Sequence, residues 1–120
     1  MAVSVQDLIQ QKDKILAKKD ERFDLKTSIG TITVLKPSRA LVTETLDLSD
    51  GNDAYLIVNA TVSPNLKDKE LQTAYGCTEP TDIVYKLFDP GEVPAISRAI
   101  MKCAGYNTDI ESKLHEDVKN

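Results

Sequence analysis

Turn-forming residues divide this chain into short segments, and this division constrains the fold more than any other feature of the sequence. Each of the five glycines falls where the surrounding pattern predicts a turn or a helix cap: Gly30, Gly51, Gly76, Gly91 and Gly105. Glycine tolerates the positive φ that turns and caps often need, and proline cannot donate to a β-ladder. The chain should therefore form only short elements, and its 120 residues are expected to fold as one domain over 1–120.

Composition narrows the class of protein further. Two Phe and four Tyr, with no Trp, accompany 41% hydrophobic residues, so the core is expected to be aliphatic. The net charge is −4 and the basic residues are dispersed. This argues against a nucleic-acid partner, because phosphate binding needs a cationic surface. The longest apolar run, near 55–58, is far short of the roughly 20 residues that span a bilayer, so no membrane association is expected.

The cysteines and the N-terminus indicate a cytoplasmic location. Cys77 and Cys103 are isolated, with no CxxC motif, which suits a reducing compartment. Residues 1–20 lack the apolar segment and the cleavage site of a secretory signal.

Residues 1–20 instead have the pattern of an amphipathic helix, from about 5 to 19. Ser4 and Asp7 have the spacing of a capping box, which would satisfy two backbone amides at the helix start. The apolar side chains recur at helical spacing with one gap, at Lys12: Val5, Leu8, Ile9, Ile15 and Leu16. This apolar stripe is narrow, so two interpretations stay open: it packs on the edge of its own domain, or it binds a partner.

The following segment, 21–37, predicts an antiparallel β-hairpin. Phe23 and Leu25 alternate with polar residues, and so do Ile32 and Val34. Residues 53–62 also alternate like a strand, and propensity alone favours a strand there, although the periodicity of a short apolar run cannot distinguish a strand from a buried helix.

The rest of 38–105 is expected to be a helical core. Ser38 would cap a helix with Leu41, Val42, Thr45 and Leu46 on its inner side. A helix over 68–75 would turn Leu71, Ala74 and Tyr75 inward, and two more would carry the apolar positions of 83–88 and 93–103. Residues 106–120 form a tail or a short helix with Ile110, Leu114 and Val118 at four-residue intervals. The fold class is thus α+β, mainly α: an N-terminal helix, one hairpin, and four to five short helices.

The sequence offers little chemistry for catalysis. His115 is the only histidine, and its place in a charged tail favours a solvent-exposed side chain over a catalytic base or a metal ligand. Glu79 and Asp82 lie near a helix start, where capping is a better interpretation than paired acid and base. We therefore predict no catalytic residue, no cofactor, no metal and no enzymatic activity, which leaves a protein-interaction domain.

Four blocks of the sequence carry a family resemblance: RFDL at 22–25, SPNLKDKELQTAYG at 63–76, LFDPGEV at 87–93, and CAGY at 103–106, with Ile96 between the last two. Together they resemble the XkdN-like tail assembly chaperones of long-tailed phages and prophages of Gram-positive bacteria. The resemblance favours a helix over a strand for 53–62. In physical terms the blocks are interpreted as scaffold, formed by turns, caps and packing side chains: Pro64, Asn65, Leu66, Leu71, Tyr75, Gly76, Pro90, Gly91 and Glu92.

The resemblance implies a non-enzymatic helper in the bacterial cytoplasm that is absent from the mature virion. Such proteins coat the tape measure protein and recruit tail tube (major tail) subunits around it. The expected partner-binding residues are the narrow apolar stripes at the two ends of the chain: Val5, Leu8, Ile9, Ile15, Leu16, Ile110 and Leu114. Self-association as a homo-oligomer through the same stripes is a variant of this hypothesis. The alternative is a structural tail or head-completion protein that is retained in the virion.

Overall fold

The computed structural model describes residues 2–115. Within them lie seven α-helices, a 3₁₀ turn and three strands. In chain order they are α1 (Val5–Gln10), α2 (Lys12–Ala17), the 3₁₀ turn (Lys18–Asp20), β1 (Arg22–Thr27), β2 (Gly30–Leu35), α3 (Arg39–Asp47), α4 (Asn52–Ala60), β3 (Thr61–Ser63), α5 (Lys69–Ala74), α6 (Asp82–Leu87) and α7 (Glu92–Cys103). The predicted class, α+β and mainly helical, is confirmed.

The β-hairpin forms as the alternation predicted. β1 and β2 pair antiparallel from Arg22 opposite Leu35 to Thr27 opposite Gly30, which leaves a two-residue turn. Gly30 has φ of +124°, a conformation that side-chain-bearing residues rarely adopt. Ile32 and Val34 face the core, while their neighbours along β2 are exposed or half-buried.

A third strand, β3, was not predicted. It pairs antiparallel with β2, with Thr61 opposite Val34 and Ser63 opposite Thr33, and the register shifts between these pairs. Three residues directly after a helix are too few to show a period of two, which explains why the pattern did not reveal a strand.

The central helix α4 resolves the ambiguity over 53–62, because residues 52–60 are helical and only 61–63 are extended. Its buried side chains cover a wide face of the helix: Ala54, Leu56, Ile57, Val58 and Ala60. Asn52, Tyr55 and Asn59, on the remaining side, are only half-buried. In a segment this short, an apolar face this wide gives a pattern that resembles the alternation of a strand. The strand favoured by propensity alone is therefore wrong for most of the segment, and the helix favoured by the resemblance is right.

The core forms between α4, the sheet and helices α6 and α7. It is aliphatic apart from Phe88, and its further members are Ile32, Val34, Leu66, Ile83, Val84, Val93, Ile96 and Ile100. Both α7 and α6 pack on α4, and α7 also packs on β1.

The predicted helix ends agree with the structure better than the predicted inner faces. The Ser38 hydroxyl accepts from the Leu41 amide at 3.1 Å, as expected for an N-cap. In the same helix Leu46 was expected to face inward but is 65% exposed. Likewise Ala74 and Tyr75 are exposed rather than packed inward, and only Leu71 of that helix contacts the core. Leu46 and Tyr75 both lie in the last turn or at the cap of a short helix, where the chain is already leaving the core.

The two ends of the described chain differ from the prediction in detail. The N-terminal helix covers nearly the predicted range, but it is interrupted at Gln11 and its last turn, 18–20, is 3₁₀. Residues 108–115 have no regular structure, so the short helix allowed for 106–120 is not formed there; Val118 lies outside the described residues.

The chain is elongated. Its principal extents are 72 × 27 × 26 Å. The accessible surface of 9222 Å² compares with about 6,400 Å² for a compact monomer of this mass. No residue of α1 or α2 is buried, so the N-terminal helices contribute much of this additional surface.

Candidate protein-binding surfaces

The five apolar residues predicted at the N-terminus form an exposed row, here called the N-terminal stripe (Val5, Leu8, Ile9, Ile15 and Leu16). Their exposed fractions run from 40% to 75%. None of the five belongs to the core cluster or packs against it. Val3, just before the helix, is also exposed and extends the apolar surface beyond the residues that the helical period indicated.

Local hydrogen bonds hold the start of this helix in place. The Ser4 amide donates to Asp7 Oδ2 at 2.9 Å, and the Asp7 amide donates to Ser4 Oγ at 3.1 Å, which is the predicted capping box. Hydrogen bonding to the carboxyl from the Ser4 backbone amide, and next from the Ser4 side chain, lowers the pKa of Asp7. The capped end is thus organised without support from the core, so a partner would not have to order it on binding.

Lys12 gives the N-terminal stripe a charge near its centre. It precedes Leu16 by four residues within α2, so it lies on the same face of that helix as Leu16. A partner helix laid along the stripe would bring a residue close to the Lys12 ammonium. An acidic residue at that position would be favoured, and a second lysine disfavoured.

The two C-terminal residues of the predicted set are exposed as well, with Ile110 at 83% and Leu114 at 86%. They lie in an irregular segment rather than on a helix, so the structure does not bring them together into a stripe.

The residues interpreted as scaffold occupy several kinds of position. Leu66 is fully buried, Leu71 is half-buried and Tyr75 is exposed. Gly76 has φ of +66°, and the Cys77 amide donates across it to the Gln72 carbonyl at 3.0 Å, completing a left-handed helix cap.

Around this helix, Asn65 Oδ1 accepts from the Lys67 amide at 3.1 Å, in the turn that follows Pro64. Pro90 and Gly91 immediately precede α7.

Glu92 has a role that its position in the sequence did not reveal. Its Oε2 accepts from the Ser28 amide at 2.7 Å, and its Oε1 accepts from the Ser28 hydroxyl at 2.6 Å. The start of α7 is thereby joined to the hairpin turn, 64 residues earlier in the chain. These bonds lower the pKa of the Glu92 carboxyl. Nothing local in the sequence pairs the two residues, because the contact depends on how α7 packs against β1.

The acidic pair considered for catalysis has a capping geometry. Asp82 Oδ2 accepts from the backbone amides of Glu79 and Thr78, each at 2.9 Å, and these bonds lower the pKa of Asp82. Across residues 2–115 there is no group of three or more His, Cys, Asp or Glu side chains that could hold a metal ion. Within the same range no helix is long and apolar enough to cross a membrane.

The core closes around α4, and apolar side chains are left exposed on helices outside it. Exposed apolar surfaces of this kind are typical of protein-interaction domains. The chain belongs to the family described as the phage XkdN-like tail assembly chaperone protein, whose family model matches residues 9–119. No curated protein and no solved structure matches the chain. Membership indicates a non-enzymatic role and interaction with phage tail proteins. The match begins at Ile9, inside the N-terminal stripe, so Val5 and Leu8 lie outside the matched range.

Proposed function

We propose that this protein binds the tape measure protein through the N-terminal stripe and keeps it available until tail tube subunits assemble around it. The observation that supports this proposal most directly is a capped N-terminal helix whose apolar side chains are exposed and lie outside the hydrophobic core. Family membership supplies the biological setting, the assembly of a phage tail.

The stripe is suited to binding another helix. Apolar anchors at spacings of three and four residues are the usual contacts in helix recognition. A tape measure protein is expected to expose apolar helix faces before the tube encloses it. Covering those faces would prevent aggregation, and many modest interfaces along one long chain would together hold firmly while each remained reversible.

The C-terminal residues Ile110 and Leu114 provide a second exposed apolar contact in this proposal. We assign them to the same partner or to the arriving tail tube subunit. The complex would act in the cytoplasm of the host cell and would leave before the virion is complete. Pairing of stripes between copies would bring one Lys12 near another in a parallel arrangement, which disfavours that form of self-association.

The test is co-expression with the tape measure and tail tube proteins, followed by affinity pull-down. The stripe variant replaces Leu8, Ile9, Ile15 and Leu16 with Gln. It should lose the tape measure protein while its thermal melting temperature stays unchanged, because none of these side chains is buried.

The matched control replaces three exposed apolar residues elsewhere with Gln: Ile29, Leu46 and Val62. This control should retain the partner. If the wild-type chain captures neither protein, or if the stripe variant captures both as well as the wild type does, the proposal is wrong.

The alternative role, a structural subunit retained in the particle, is tested separately. Mass spectrometry of purified virions should find the protein absent, and a stoichiometric amount would contradict the assembly-helper role.

A further inference from the structure

A second exposed surface runs along α4, from Gly51 before its first turn to Asn59 in its last turn. Two adjoining depressions, of about 490 and 890 Å³, share Gly51 and Tyr85. Together they form what we call the Tyr85 groove, which includes Leu48, Gly51, Tyr55, Pro80, Tyr85 and Phe88. None of the described residues of α1 or α2 lines it, so this groove is separate from the N-terminal stripe.

The groove has an aromatic and aliphatic surface with one prominent side chain. Tyr85 is 57% exposed between the two depressions, and Leu48 is exposed beside it. The Tyr55 hydroxyl donates to Glu44 Oε2 at 2.8 Å, which fixes the ring and raises the pKa of the Tyr55 phenol. Exposed tyrosines beside apolar depressions are typical anchors of protein interfaces.

Carboxylates dominate the charged side chains of the groove. Its two depressions are lined by four acidic residues, namely Asp50, Asp53, Glu79 and Asp82. The two depressions are lined by one basic residue, Lys67, whose ammonium donates to Asn59 Oδ1. Lys86, one helical turn beyond Asp82, acts on the Asp82 carboxylate but does not line the groove.

We propose that the Tyr85 groove binds a segment of another protein in which an apolar side chain is flanked by lysine or arginine. The apolar side chain would pack against Tyr85 and Leu48, and the basic residues would lie against the carboxylates on either side. The surface has the opposite electrostatic preference from the N-terminal stripe, whose central charge is Lys12. The two surfaces therefore select different segments, and one copy of the protein can hold both at once.

The probe for this proposal is a synthetic amphipathic peptide whose leucines are flanked by lysines, compared with the same peptide carrying glutamate in place of each lysine. Both are titrated into the full ¹⁵N-labelled chain by NMR, and affinities are measured by calorimetry. The lysine peptide should bind, with the largest amide shifts at Gly51, Thr81 and Tyr85, and binding should weaken as salt is raised. The glutamate peptide should bind at least about tenfold more weakly.

Matched variants separate the groove from the overall negative charge of the protein. Tyr85→Ala should weaken lysine-peptide binding about tenfold, whereas Tyr75→Ala, an exposed tyrosine outside the groove, should not change it. Glu79→Lys should weaken binding, while Glu111→Lys makes the same charge change in the C-terminal segment and should have little effect.

The proposal fails if both peptides bind equally, if Tyr85→Ala binds like the wild type, or if the shifts map to α1 and α2. A thermal melt of each variant confirms that it is folded. The peptide titrations contain no tape measure protein. Their result therefore does not depend on whether the N-terminal stripe binds that protein in the pull-down.

Discussion

Replacement of Leu66 by Ala should destabilise the protein severely, although Leu66 lies in a turn rather than in a helix or strand. Its side chain is 0% exposed and belongs to the core cluster. Its carbonyl accepts from Gln72 Nε2 at 2.7 Å, which holds the turn against α5. The turn cannot easily collapse to fill the space that the leucine leaves, so a loss of about 3 kcal/mol is expected, within the usual range for buried Leu→Ala changes.

This loss converts into a measurable shift of the melting temperature. With about 2.1 cal/mol/K of unfolding entropy per residue, a chain of 120 residues should lose about 12 °C. Circular dichroism at 222 nm, followed on heating, measures the shift directly.

Leu46→Ala is the matched control, since it removes the same atoms from a side chain that is 65% exposed. It should cost less than about 0.5 kcal/mol, or about 2 °C. If the two variants melt together, the interpretation of the 63–76 block as scaffold is refuted, and Leu66 would have to be explained by another role.

Three further changes test the caps and the long-range contact. Gly76→Ala should destabilise the protein by about 1 kcal/mol in thermal melts, because its φ of +66° strains a side-chain-bearing residue although no atom crowds the position. The bonds from Ser28 stabilise the ionised form of Glu92 and hold its pKa below the ordinary value of 4.5, so wild-type stability should fall as the pH drops from 4.5 through this lowered pKa. Glu92→Gln should flatten that part of the pH profile of stability, and an unchanged profile would count against the contact. Ser4→Ala should reduce helicity and weaken tape measure binding without moving the melting temperature, because the capping box with Asp7 belongs to helices outside the core; a shift of several degrees would contradict this.

Local signals in the sequence predicted local structure well. The Ser4 and Ser38 caps and the left-handed Gly76 depend on residues within five positions of each other, and the hairpin depends on two strands joined by a two-residue turn; all are present. The exposed N-terminal stripe was identified by its spacing, although its exposure was not decided by the sequence.

What the sequence did not reveal depends on contacts between distant segments. The strand β3 exists only because β2 lies beside it, and the bond from Ser28 to Glu92 spans 64 positions. The Tyr85 groove is likewise assembled from separate parts of the chain, because Leu48, Tyr55, Pro80 and Tyr85 meet only after α4 and α6 have packed. The prediction that Leu46 and Tyr75 face inward was wrong for the same reason. A periodic pattern indicates which side of a helix packs on the core, but it does not indicate where along the helix that packing ends.

The absence of buried residues in α1 and α2 has a consequence for how the protein can diversify. Substitutions there should cost little folding free energy. The residues of the N-terminal stripe can therefore change in evolution as the partner changes, while the residues of the core stay the same. Grafting the first 20 residues of one relative onto the body of another should therefore transfer partner preference without loss of thermal resistance.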